Sequence, residues 1–183
     1  MNDIMSTYSG MRFCPLEMKP ENARLEDIAH ALSLLCRGGG HLKYFYSVGQ
    51  HCINCAREAD ARGWDKRIVL ACLLHDASEA YISDIIRPVK KYLTNYMEIE
   101  DGILKVIFKH FELGEVTPEE WAQVRQIDDE ILAHELKNLL CGDWEGELPK
   151  LYAEPDLSCR DFREVEEQYK AVYEKIVTGA MKD

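Results

Sequence analysis

The sequence has no apolar run approaching the roughly 20 residues that a membrane-spanning helix needs. Its start, Met1-Asn2-Asp3, lacks the basic residues and the apolar core of a signal peptide. Positive charge is also short: 22 basic residues stand against 33 acidic ones, a formal net charge of -11. A surface of that sign repels a polyanion, which disfavours long nucleic acid as a partner. A small anionic substrate is not excluded, because a basic cluster or a bound cation can reverse the sign of a single cleft. Period-two alternation is missing too, and no segment reads as a strand. The cysteines, at 14, 36, 52, 55, 72, 141 and 159, are odd in number and have no disulfide-like spacing. Several lie in apolar helical stretches, where a free thiol behaves as a small hydrophobe. These absences lead to the expectation of a reduced, cytosolic protein with no membrane partner.

What is present is ordinary globular material: 183 residues, 46% hydrophobic and 30% charged, enough for one domain with a real core. Residues 1–23, with Pro15 and Pro20, show little periodicity and read as an arm lying on that domain. Apolar residues at 25, 28, 29, 32 and 35 have helical spacing, broken by Cys36-Arg37-Gly38-Gly39-Gly40-His41. Ser47 and Gln50 have capping-box spacing for a helix from Val48 to about Arg62. Asp65 can cap a third helix that carries Ile68 to Glu79 and reaches toward Ile82. Further helices are expected over 96–113 and from the Thr117-Pro118-Glu119-Glu120 start to about Leu140. A loop follows over 141–159, and Ser158 and Asp161 open a last amphipathic helix over 158–179. The expected architecture is all-α: a single multi-helix bundle without repeats, its core over about 25–140.

Chemistry concentrates in Leu70–Lys90, LACLLHDASEAYISDIIRPVK. An apolar run ends abruptly in His75-Asp76, with Glu79 about one turn later and Asp84 just beyond. Buried polar groups need partners, and buried charges need them most. A metal ion satisfies imidazole and carboxylate together. His51 shares a helix face with Val48, Cys55 and Ala59, and Asp128 interrupts a helix between Ile127 and Ile131. Each residue alone has a plain alternative, a hydrogen-bonded core histidine or a solvated acid. Cys52 and Cys55 have the spacing of half a zinc site or a redox pair. They lie inside a helix with no second pair, and read otherwise as small core residues.

The string HDASEAYISDIIRPVKKY, with His51 in YSVGQHCINCA and Asp128 in VRQIDDEILA, resembles the HD-superfamily metal-dependent phosphohydrolases. Its nearest likeness is to small bacterial 5'-deoxynucleotidases and phage-type HD nucleotide hydrolases. The resemblance implies an HD-domain helical fold with His51, His75, Asp76 and Asp128 as metal ligands. It implies catalytic roles for Glu79 and Asp84, phosphate binding by Arg37, and a homodimer. The glycine-rich loop around Arg37 departs from the deoxynucleotidase pattern by a one-residue shift in spacing. Lys90, in the Arg87, Lys90 and Lys91 cluster, is a further candidate for attracting an anionic substrate.

These residue types suit the chemistry. Nitrogen and oxygen ligands leave a cation open positions for water and a phosphate oxygen, and a carboxylate outside the ligand set can take a proton. Arginine offers phosphate a planar, permanently charged fork. With no thiolate in the set, one divalent ion is expected: manganese, cobalt, iron or nickel, with magnesium also admitted. Dinuclear relatives add histidines between the HD pair and the last Asp, whereas here only His110 falls in that interval. The expected function is hydrolysis of a small nucleotide substrate, foremost a deoxynucleoside 5'-monophosphate. The alternatives are a deoxynucleoside triphosphate triphosphohydrolase, a non-catalytic nucleotide sensor, and a helical partner protein with an incidental His-Asp pair.

Overall fold

Helix α2, Val48–Ala61, is buried on nearly every side, although six of its fourteen residues are polar. Such a helix survives in a core only if its polar side chains find partners. Gln50 Nε2 donates to the carbonyls of Asp156 and Ser158, at 2.9 and 3.0 Å. Asn54 Nδ2 donates to the Tyr46 hydroxyl and to Asp156 O, both at 3.0 Å. Glu58 accepts from the backbone N–H groups of Tyr152 and Ala153. Within the loop expected over 141–159, residues 152–158 thus form a strap held against α2 by that helix's own polar residues.

The computed structural model describes residues 3–142 and 145–181. Around α2 pack α1 (Leu25–Leu34), α3 (Lys66–Leu74), α7 (Pro118–Leu139) and α8 (Phe162–Thr178). The short helices α4 (Glu79–Ile82) and α5 (Arg87–Lys90) lead from α3 into α6 (Thr94–His110). One continuous apolar cluster runs through Ile28, Leu32, Ile53, Leu73, Leu74, Ile107, Ile127 and Ile131, and the fold is all-α. Gly49 lets α1 and α2 approach closely, since a Cβ there would lie 3.2 Å from the backbone of Leu32 and Ser33. Among the described residues, no helix is long and apolar enough to cross a membrane.

Besides α5, which the sequence reading lacks, and α6, which runs Thr94–His110 where 96–113 is expected, the structure differs from that reading in the arm and in the last and third helices. The arm contains a short antiparallel hairpin, β1 (Met5–Ser6) with β2 (Arg12–Phe13), too brief to give an alternating signal. Buried Asp27 holds its turn, accepting from Thr7 Oγ1, Ser9 N and Ser9 Oγ at 2.6–2.8 Å. The last helix begins at Phe162, not Ser158: Asp161 caps it, and Ser158 instead bonds Asp156. The third helix, expected to continue through Glu79, stops at Leu74. Beyond it the backbone tightens to bonds three residues apart, from Ala77 N to Leu74 O and from Glu79 N to Asp76 O, each 3.0 Å. In such a turn, residues three apart eclipse one another. Asp76 and Glu79 therefore project the same way.

Candidate metal centre

His75 caps α3 at its C-terminus, and its ring Nδ1 donates to Cys72 O at 2.8 Å. That bond leaves Nε2 facing inward, buried and, among the described residues, with no hydrogen-bond partner. His51, fully buried on α2, is arranged alike: Nδ1 bonds Glu135 Oε1 at 2.7 Å, while Nε2 lies 3.2 Å from Asp128 Oδ1. A histidine tied down through one nitrogen, with the other aimed at a shared point, is the usual posture of a metal ligand. Asp76 Oδ2 lies 3.3 Å from His75 Nε2 and 4.0 Å from His51 Nε2. The four residues expected as ligands thus converge from α2, the end of α3 and α7.

Arg37 reaches the same point. Its loop turns back through Gly38 and Gly39, both in the left-handed region at φ 64 and 62, a conformation costly for residues with a Cβ. The guanidinium Nε donates to Glu135 Oε2 at 2.9 Å, and its two NH groups reach Asp76 and Asp128 at 3.4 Å each. Three carboxylates share this one guanidinium. Against the cost of burial, Arg37 and His51 pull Glu135 down to about 2. Asp128 and Asp76 are likewise held well below the ordinary carboxylate range, Asp128 chiefly by His51 and Asp76 chiefly by His75. The centre is rich in acid and short of cation, and a buried imidazole nitrogen stands unsatisfied. Buried His, Cys and Asp groups here could hold a metal ion.

Glu79 lies beside this cluster, 4% exposed, with Oε2 buried and unbonded. Burial, then the neighbouring Asp76 and Asp84, raise its carboxyl well above the ordinary range. Asp84 is also raised by burial, with Arg37 opposing. Ser83 before it has φ 72 and ψ 160, a region nearly reserved for glycine, which swings the chain back toward the cleft. Lys90 Nζ pairs with Glu100 at 2.5 Å and lies 3.7 Å from Glu79, so its charge is already engaged. Arg87 bridges Asp128 and Asp129 at 2.5 Å each. His110, at the end of α6, is exposed and packs edge-on against Phe111, outside the site.

A cleft of about 510 Å³ opens over the centre. Arg37, Asp76, Glu79, Asp84, Lys90 and Asp128 all line it, and Ile85, Ile86, Leu132 and Leu136 form an apolar wall. His51 and His75 lie beneath. Glu135 is not among the residues that the sequence points to, yet it is bonded to His51 and accepts from Arg37 Nε and the Tyr46 hydroxyl. Its signal was present: it occupies the core-facing position after Val124, Ile127 and Ile131 on α7, where an apolar residue would be expected.

No protein-family model matches the chain. It is 35% identical over 123 residues to "Uncharacterized protein YfdR" of Escherichia coli (strain K12), a match covering 66% of each chain and so just under two thirds of that protein. It is also 32% identical over 154 residues to "Uncharacterized protein RCAP_rcc00048" of Rhodobacter capsulatus, covering 81% of this chain and 78% of that protein. With likeness of that extent, the chain belongs to the same family as the Rhodobacter capsulatus protein.

Proposed function

We propose that the protein is a metal-dependent phosphohydrolase that releases orthophosphate from a deoxynucleoside 5'-monophosphate. The observation that carries this reading is the convergence of His51, His75, Asp76 and Asp128 at the base of a cleft holding Arg37 and Glu79, with the inward nitrogen of His75 unsatisfied. A divalent cation held by those four residues would supply a Lewis acid that offsets charge on the phosphoryl oxygens and lowers the pKa of water. Arg37 is anchored through Nε to Glu135, and its other nitrogens make only long contacts, so they are free to turn to a phosphate. Glu79, its carboxyl raised above the ordinary range by burial and its acidic neighbours, accepts the proton of the attacking water. Asp84 sits beside it as a second carboxylate. Lys90 balances Glu79 and Glu100.

Charge favours a monophosphate over a triphosphate. The cleft offers Arg37, Arg87 and Lys90 against Asp76, Glu79, Asp84, Asp128 and Glu135, and Arg87 and Lys90 are already paired. One added cation offsets one phosphoryl group, not three in a row. The apolar wall of Ile85, Ile86, Leu132 and Leu136 can receive a base and sugar. Those four side chains are apolar, while His41, Asp84 and Arg87 line the same cleft; an apolar pocket discriminates against an added hydroxyl by on the order of 100-fold at most.

The test is phosphate release from ribo- and deoxynucleoside mono- and triphosphates with Mn²⁺, Co²⁺ or Mg²⁺. Orthophosphate from the deoxy monophosphates is the expected result. Inorganic triphosphate from deoxynucleoside triphosphates would replace the reading with the triphosphohydrolase. Nucleotide binding without any turnover would replace it with a sensor.

A further inference from the structure

Behind the carboxylates, the centre has a sulfur side. Cys52 and Cys55 are buried on the inner face of α2, and Cys72 is buried on α3. Cys55 lies one turn beyond His51, and its Sγ is 3.5 Å from His51 Nε2, the same nitrogen that faces Asp128. His51, His75 and Cys55 each offer a ligand atom, all within 4.8 Å of one another and all buried. The second, independent observation is the unpartnered Nε2 of His75, whose side chain is only 6% exposed.

We propose that Cys55 is a metal ligand, so that the ion is held by His51 Nε2, His75 Nε2 and Cys55 Sγ, with a carboxylate from the Asp76 and Asp128 side completing the set. On binding, the thiol proton leaves to solvent and the sulfur–metal bond replaces the S–H bond. The inference rests on the proposed function, shares its two histidines, and puts Cys55 in the place of one of the two aspartates named there. It changes the class of metal: a thiolate selects borderline ions such as Zn²⁺, Fe²⁺ and Co²⁺ over the hard ions Mg²⁺ and Mn²⁺. Cys52, grouped instead with His75 and Asp76, is the neighbouring control.

The experiment is titration of chelator-treated protein with Co²⁺, followed by absorption spectroscopy. An intense sulfur-to-cobalt charge-transfer band in the near ultraviolet is expected with the first equivalent, lost in Cys55→Ala and kept in Cys52→Ala. A band that survives Cys55→Ala overturns the assignment. Weak visible cobalt bands without charge transfer overturn it while leaving a nitrogen–oxygen centre, and with it the proposed function, intact. Absence of any cobalt signal overturns both. X-ray absorption of the zinc-loaded wild-type protein needs no variant: a sulfur scatterer in the coordination sphere supports the proposal, and nitrogen and oxygen alone refute it.

Discussion

Replacing Glu135 with alanine removes the one acceptor shared by Arg37 Nε, Tyr46 OH and His51 Nδ1, at 2.9, 2.8 and 2.7 Å. Glu135 is 2% exposed, so water cannot take over. Its carboxyl lies at about 2 in the folded protein against an ordinary 4.5, with Arg37 and His51 overcoming the cost of burial. At about 1.4 kcal/mol per unit, that difference corresponds to about 3 kcal/mol of stability. Because the folded value is the lower one, the contribution is fully present above the unfolded value near 4.5 and is lost as pH falls toward 2. For a chain of this length, about 3 kcal/mol lowers Tm by roughly 6–12 °C. Thermal unfolding followed by circular dichroism at pH 7 should show that loss for Glu135→Ala, and the gap to wild type should narrow below pH 4. Releasing His51 from its partner should also weaken metal binding by about 10- to 100-fold in a competitive chelator titration. An unchanged Tm at pH 7, or a gap that does not depend on pH, would refute the view of Glu135 as the buried anchor of the centre.

Further outcomes are expected. His75→Ala and Asp128→Asn should each abolish stoichiometric metal uptake, measured by elemental analysis after gel filtration, because each removes a converging ligand. Glu79→Gln should keep the metal and lose about 10²- to 10⁴-fold in kcat, the range for a lost general base; retained turnover would move that role to Asp84. Asp27→Ala should release the arm, since Thr7 and Ser9 lose their shared acceptor, and limited proteolysis should then cut within residues 5–13 faster than in wild type. Thr117→Ala breaks the capping box of α7 and should cost about 1 kcal/mol, read as a small drop in Tm.

Much of the helical order was legible in the chain, because each signal is local. Thr117, Pro118 and Glu120 mark the start of α7 through backbone bonds within one turn, and Asp65 and Ser47 cap α3 and α2 in the same way. His51, His75, Asp76 and Asp128 stood out as polar groups set into apolar helices, a conflict visible without coordinates. The end of α3 was not legible: Ile68 to Glu79 has uninterrupted helical character, and only the bonds from Ala77 and Glu79 show the tighter turn that aligns Asp76 with Glu79. Distance along the chain also hid the couplings across the core. Glu135 meets His51 and Arg37 over separations of 84 and 98 residues, and Lys90 turns to Glu100 and Glu79. Sequence alone determined which side chains needed partners, since burial of an acid or an imidazole follows from its apolar neighbours. Which partners they found was decided only when α2, the end of α3 and α7 packed together, because hydrogen bonds and metal ligation depend on distances of a few ångströms that no spacing along the chain specifies.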